Sequence, residues 1–225
     1  MRAFPSYVAR MHQRSVSLVL ALALAIAVAA CNRNGGEAAA PAAMPEPPAA
    51  ATGSVPVAVL KIRDFGEVRI ALRSDVAPKT VANFTKLATE KFYDGTTFHR
   101  VIPGFMIQGG DPLSKDRDPR NDGLGGPGYK IPEEPNGIRH RRGVVSMANA
   151  GPGTGGSQFF VLVGDAPTLD GKHTAFGYVA SGMDVVDRIV AVERDQYGRW
   201  GQPDRPMQDV VIESVTIEAP TTTAP

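Results

Sequence analysis

The sequence predicts a mainly β protein: a closed eight-stranded antiparallel barrel capped by two α-helices. Three observations predict it. About eight short apolar runs sit between turn signals, two further stretches carry apolar residues at helical spacing, and 225 residues suffice to bury a substantial core.

Two segments of different character precede the barrel. Residues 1–30 hold Arg2, Arg10 and Arg14 and no acid, and residues 16–30 form an apolar run broken only by Ser17. That run is short for a membrane span of about 20 residues. A basic start, an apolar middle and small residues before a cut describe a secretory signal, with Met1 or Met11 as its start. Val28-Ala29-Ala30 then leads into Cys31, the one cysteine of the chain. This resembles a bacterial lipoprotein box, in which the cysteine is lipidated and becomes the new N-terminus. The plainer alternative is cleavage after Ala29 or Ala30 beside an incidental cysteine. Either way a lone cysteine excludes an internal disulfide.

Residues 31–54, with Pro41, Pro45, Pro47 and Pro48 among alanines, have no apolar periodicity and read as a flexible tether. The expected division is therefore a signal peptide at 1–30, a lipid-anchored linker at 31–54, a folded domain at 55–219 and a disordered tail at 220–225. Removing the signal takes three of 24 basic groups and none of 23 acidic ones, leaving 21 against 23. Near-neutrality gives no reason to expect nucleic acid as a partner.

Within the domain, Val57, Val59 and Ile62 fit a first strand, and Val68, Ile70 and Leu72 alternate with polar residues in a second. Pro78 suits the first turn of a helix whose stripe is Val81, Phe84, Leu87 and Ala88, and Asp94-Gly95 is expected to end it. A hairpin follows at 98–111, where two apolar runs flank Pro103-Gly104. Residues 112–137 form a long loop rich in Pro, Gly and charge. Strands are expected at 144–148, 159–163, 174–179 and 210–217. Ser181-Gly182-Met183-Asp184 resembles a capping box opening a second helix, with Val186, Ile189 and Val190 inward.

The hairpin carries the chemistry. Arg100 and Gln108 lie on strands of bulky apolar residues, and pairing across the turn can bring both polar heads to one face with Phe105 and Met106. A guanidinium and an amide beside an aromatic ring and a thioether describe the floor of an amphipathic pocket. Downstream stand Ser146-Met147-Ala148-Asn149-Ala150-Gly151-Pro152, Gly156-Ser157-Gln158-Phe159-Phe160 and Leu169-Asp170-Gly171-Lys172-His173.

With Phe98-His99-Arg100 and the rest of the hairpin, these motifs resemble, in order and spacing, those of the cyclophilins. Cyclophilins are peptidyl-prolyl cis/trans isomerases built on a closed antiparallel barrel. The resemblance runs from about Val55 to Glu218. It implies catalysis of rotation about X-Pro bonds, without a cofactor, in Pro-containing polypeptides. It assigns Arg100 as the catalytic residue. Phe105, Met106, Gln108, Ala148, Asn149, Ala150, Gln158, Phe160, Leu169 and His173 form the substrate site.

Those residue types suit the task. Amide rotation meets a barrier of about 20 kcal/mol and takes tens to hundreds of seconds unaided. A catalyst has only to hold the ring, fix the carbonyl side and stabilise the twisted state, in which the nitrogen lone pair localises. The planar donors of Arg100 suit that lone pair. Phe105, Met106, Phe160 and Leu169 supply an apolar wall. Gln108 and the peptide groups near Asn149 can align the substrate backbone, and His99 braces the pocket. Gln108, Gln158 and Asn149 can alternatively serve only the fold.

Other patterns lead nowhere. Gly123-x-Gly125-x-x-Gly128 and Gly151-x-Gly153-x-x-Gly156 satisfy a dinucleotide-binding pattern but open no helix, so they read as turns. His12, His99, His140 and His173 lack metal-ligand spacing. The expected protein is a monomeric isomerase in a bacterial periplasm or cell envelope, held to a membrane through lipid on Cys31 and acting on exported clients. The rival is a non-catalytic anchored chaperone that holds Pro-containing segments, for which Arg100 would be superfluous. One departure stands out: many cyclophilins carry, before the Leu-Asp-Gly motif, a tryptophan associated with tight cyclosporin binding. Here that position is Thr168, and the one tryptophan is Trp200.

Overall fold

A computed structural model describes residues 55–219 apart from residue 117; the expected signal peptide, the expected tether with Cys31 and the expected tail all lie outside the described residues. Alternating apolar residues build eight strands of one antiparallel sheet. They are β1 (Val57–Ile62), β2 (Gly66–Leu72), β3 (Arg100–Ile102), β4 (Met106–Gly109), β5 (Val144–Met147), β6 (Phe159–Leu162), β7 (Ala175–Ser181) and β10 (Ile212–Glu218). A two-stranded hairpin of β8 (Arg194–Asp195) and β9 (Arg205–Pro206), which periodicity does not announce, lies between β7 and β10 in the chain.

The sheet runs β10-β1-β2-β7-β5-β6-β4-β3, so β3 and β10 are edges and the expected closed barrel is open. The reason lies in the extra hairpin. The Val101 N–H of β3 donates to the Asp204 carbonyl beside β9 at 2.9 Å, so that edge is engaged away from β10. The curled sheet meets itself only just before the two edges. There Thr97 and Val211 form an isolated bridge, flanked by the bonds Gly95 N–H to Ile212 O, Ile212 N–H to Thr96 O and Phe98 N–H to Val210 O.

The inner face of the sheet holds the main core. Leu60, Ile70, Val101, Ile107, Phe159 and Phe176 are all buried there. Helix α1 (Pro78–Thr89) drives Phe84 into it, 5.0 Å from the Tyr93 ring, 5.3 Å from Phe176 and 5.4 Å from Phe159. Helix α2 (Met183–Val190) contributes Val185, Val186 and Ile189. Three aromatic rings around Phe84 tie α1 into the core.

Helix ends differ from expectation in two places. Helix α1 stops at Thr89, ahead of Asp94-Gly95, because Lys91 adopts the left-handed region with φ 57°. The Phe92 N–H then donates to Leu87 O and the Lys91 N–H to Ala88 O, a Schellman closure with lysine where glycine is usual. At the start of α2 the N-cap is Gly182 in the left-handed region, with no side-chain cap, so the expected capping box does not form and Ser181 stays in β7. A Cβ on Gly182 would stand 2.3 Å from the Glu67 carbonyl oxygen, so glycine is required there. The N-terminus of α1 is capped from a distance: Glu134 accepts from the N–H groups of Lys79 and Thr80 at 3.0 and 2.7 Å.

Candidate active site

The outer face of the sheet is apolar where an antiparallel sheet is often polar. Met106, Val144, Phe160, Leu162, Ala166 and Ala175 form a second buried cluster there, with Phe105, Ala148 and Leu169 packed against it. Strand alternation decides this. Ile107, Phe159 and Val161 point to the core, so Met106, Gln108 and Phe160 must point the other way.

Register then assembles a row across four strands. Arg100 on β3 pairs with Gln108 on β4, Gln108 with Phe160 on β6, and Phe160 with Ser146 on β5. A cation and an amide of one hairpin thus stand beside an aromatic ring from a distant segment. Arg100 is exposed, and among the described residues no carboxylate pairs with it within the range of a salt bridge. His173 closes the apolar end: its ring meets Phe160 edge-on at 5.5 Å, and Nδ1 lies 3.2 Å from Met147 O.

A cleft of about 500 Å³ adjoins this face, lined by Gln108, Gln158, Ala148–Ala150 and the glycine loop around 123–130. Arg100, Met106, Phe160, Leu169 and His173 are not part of its lining. The predicted site residues therefore divide between an apolar face and a neighbouring polar cleft, with Gln108 at the junction. Asp111 builds the far wall. Fully buried, it accepts from the Leu113 N–H at 2.8 Å, the Gly125 N–H at 3.2 Å and the Gly123 N–H. Gly125 packs so tightly on Asp111 that a Cβ would sit 2.1 Å from Oδ1.

Gln158 braces that wall. Its amide donates to Gly123 O and Gly125 O at 2.9 and 2.8 Å, while its oxygen accepts from Gln108 at 2.8 Å. The Asn149 side chain is likewise internal, donating to Lys172 O at 3.0 Å and accepting from the Gly151 N–H at 3.2 Å. What Asn149 offers a ligand is its backbone.

The family comparison decides what this face belongs to. Residues 57–217 match the model of the cyclophilin type peptidyl-prolyl cis-trans isomerases. The chain belongs to that family. Peptidyl-prolyl cis-trans isomerase B of Streptomyces anulatus is 46% identical over 172 residues, covering 68% of this chain and 91% of the relative. Peptidyl-prolyl cis-trans isomerase A of Mycobacterium tuberculosis is 46% identical over 171 residues, covering 68% of this chain and 87% of its own. Among solved structures, a cyclophilin type isomerase of Cryptosporidium parvum in the presence of the dipeptide Ala-Pro aligns with a TM-score of 0.64 at 29% identity. It covers 72% of this chain and 99% of that one. The protein is an enzyme, a peptidyl-prolyl cis-trans isomerase.

The histidines of this cyclophilin differ sharply. His99 is 3% exposed, and neither ring nitrogen finds a partner among the described residues. Burial holds its pKa down at about 4, so it is neutral near pH 7. His140, also buried, lies behind the apolar wall between Asp170 and Ser146. Sequence reasoning missed Asp111 and His140 as site-building residues. Asp111 carried a faint signal, closing the hairpin ahead of a glycine-rich loop, whereas His140 stands among arginines and carried none. Among the described residues no group of three His, Cys, Asp or Glu could hold a metal, and no helix is long and apolar enough to cross a membrane.

Proposed function

We propose that the outer face binds the proline ring of a substrate against Phe160, Met106, Leu169 and His173, with Arg100 as the catalytic donor. The carrying observation is the cross-strand row Arg100–Gln108–Phe160, which sets a planar cation at the rim of an apolar surface. As the X-Pro bond twists, resonance is lost and the proline nitrogen regains its lone pair. A guanidinium N–H directed there stabilises the twisted state more than either planar one, which is the condition for acceleration. Gln108 and the Asn149 backbone hold the chain on the carbonyl side, and Phe105 closes the face beside Met106. Gln158 acts through Gln108 and the glycine loop. The Ala-Pro dipeptide named for the Cryptosporidium parvum relative supports an Ala-Pro segment as a suitable ligand.

Exchange spectroscopy on a short Ala-Pro peptide tests this reading. The intact chain should accelerate cis/trans exchange and Arg100→Ala should largely abolish the effect. Equal rates from both proteins would overturn the assigned mechanism.

The sequence around Cys31 extends the proposal to the cell. The enzyme is a bacterial lipoprotein, cut before Cys31, lipidated there and tethered through residues 31–54, acting as a monomer on exported proteins folding in the envelope. The support is the basic and apolar leader ending in Val28-Ala29-Ala30 before the only cysteine. Cys31→Ser should move the protein from the membrane fraction to the soluble fraction, and mass spectrometry of the wild type should find acyl chains on Cys31. An unmodified Cys31 on the processed protein would refute the anchor.

A further inference from the structure

Behind the proline-binding face lies a chain of hydrogen bonds that the reaction itself does not require. The Nδ1 of His140 is 2.9 Å from Asp170 Oδ1, and its Nε2 is 2.9 Å from Ser146 Oγ. A carboxylate can only accept, so Nδ1 carries the proton and Nε2 accepts from the Ser146 hydroxyl. The Asp170 carboxylate accepts the His140 backbone N–H as well, at 2.8 Å. Asp, His and Ser in that order resemble a hydrolytic triad, but Ser146 is 0% exposed and cannot meet a substrate. Its hydroxyl is no nucleophile.

The neighbours of His140 indicate another use. Its ring stacks on Phe160 at 6.3 Å and meets His173 edge-on at 6.5 Å. Asp170 directly follows Leu169, and Ser146 is the cross-strand partner of Phe160. The wall residues Phe160, His173 and Leu169 thus each contact His140 or adjoin one of its hydrogen-bond partners. We propose that His140 is a positioning residue of the isomerase, holding the three wall residues in one arrangement through the Asp170–His140–Ser146 chain. This rests on reading the outer face as the proline site.

Protonation would disturb that arrangement. A charged ring must donate from Nε2, so the Ser146 hydroxyl has to turn its hydrogen elsewhere inside a buried site beside Phe160. The ionisable groups around His140 are Asp170, His173, the flanking Arg139 and Arg141, and Asp165, which precedes the Ala166 whose N–H donates to His140 O. Burial holds the His140 imidazole below its ordinary range, while Asp170 pulls the other way. The disturbance therefore belongs to pH below the ordinary imidazole range.

The test follows the intact chain by NMR across acid to neutral pH, together with turnover of an Ala-Pro peptide. The Phe160 ring and Leu169 methyl signals should titrate with the midpoint of His140, and kcat should fall as pH drops through it. Misplacing reacting groups by about 1 Å can cost about 10²-fold, so His140→Gln should lower kcat by at least about tenfold and remove the acid limb. Asp170→Asn, lacking the group that raises the His140 pKa, should move the limb to lower pH. Ser146→Ala, which deletes only one bond, should show a smaller loss if His140→Gln does not fold. Phe160 signals indifferent to His140 titration, or wild-type kcat in folded His140→Gln, would overturn the inference. The Phe160 signals decide it independently of activity. Unchanged catalysis in Phe160→Ala would instead sink the reading of the proline site.

Discussion

Arg100 and His99 are adjacent in the chain and opposite in environment, one exposed and the other 3% exposed. A preorganised donor aimed at developing charge is worth roughly 3–4 kcal/mol, so Arg100→Ala should lose about 10²- to 10³-fold in kcat. The fold should persist, because the exposed guanidinium carries no ion pair among the described residues. Arg100→Lys should rescue poorly, lacking the planar fork; a lysine variant near wild-type rate would contradict that geometry. His99 predicts a stability effect. Its folded pKa of about 4 lies below the free value of 6.5, so between them the unfolded chain binds a proton that the folded chain refuses. Stability is full above that window and declines as pH falls through it, by on the order of 3 kcal/mol in total. Denaturant unfolding at several pH values should show a shallower acid loss in His99→Gln than in wild type.

At the scale of elements, the glycine loop depends on one buried acid. Asp111→Ala would remove the acceptor of the Leu113, Gly123 and Gly125 N–H groups together. An unsatisfied buried donor costs about 1–3 kcal/mol, so the loss should reach at least about 2 kcal/mol even where water enters. Hydrogen exchange should quicken at Gly123 and Gly125 before it does in the β-sheet core; unchanged protection there would show that Gln158 alone holds the loop. Elements are also where sequence reading was most and least accurate. Strands β1, β2, β5, β6 and β7 lie within a residue or two of their expected bounds, because alternating burial is written in every second residue. The end of α1 was misplaced because Lys91, rather than a glycine, takes the left-handed position.

At the scale of the molecule, the β8–β9 hairpin matters twice. It takes up the edge of β3 and leaves the sheet open, and its loop carries Trp200, 68% exposed with its backbone N–H donating to Asp195 Oδ2 at 2.7 Å. Thr168 instead occupies the exposed turn beside Leu169. Threonine offers a fraction of the apolar area of an indole and no N–H donor. Losing on the order of 2–3 kcal/mol weakens binding roughly 30- to 150-fold. Cyclosporin should therefore inhibit weakly while catalysis stays intact, and Thr168→Trp should tighten inhibition. Titration of both forms checks this, and nanomolar inhibition of the wild type would show that other contacts replace the ring.

The sequence by itself determined the mainly β architecture and the two helices, and it supplied the residue types of the candidate site. Periodicity, turn residues and the Phe98-His99-Arg100 to His173 motifs are all local, and each is legible without knowing what it packs against. Tertiary structure decided what depends on pairs distant in the chain. The Arg100–Gln108–Phe160 row needs the register of three strands, and the open sheet needs the Val101–Asp204 bond. The joining of Asp170 to Ser146 through His140 needs three segments to meet. Strand register and long-range hydrogen bonds arise only when the chain closes on itself, so no single stretch of residues encodes them.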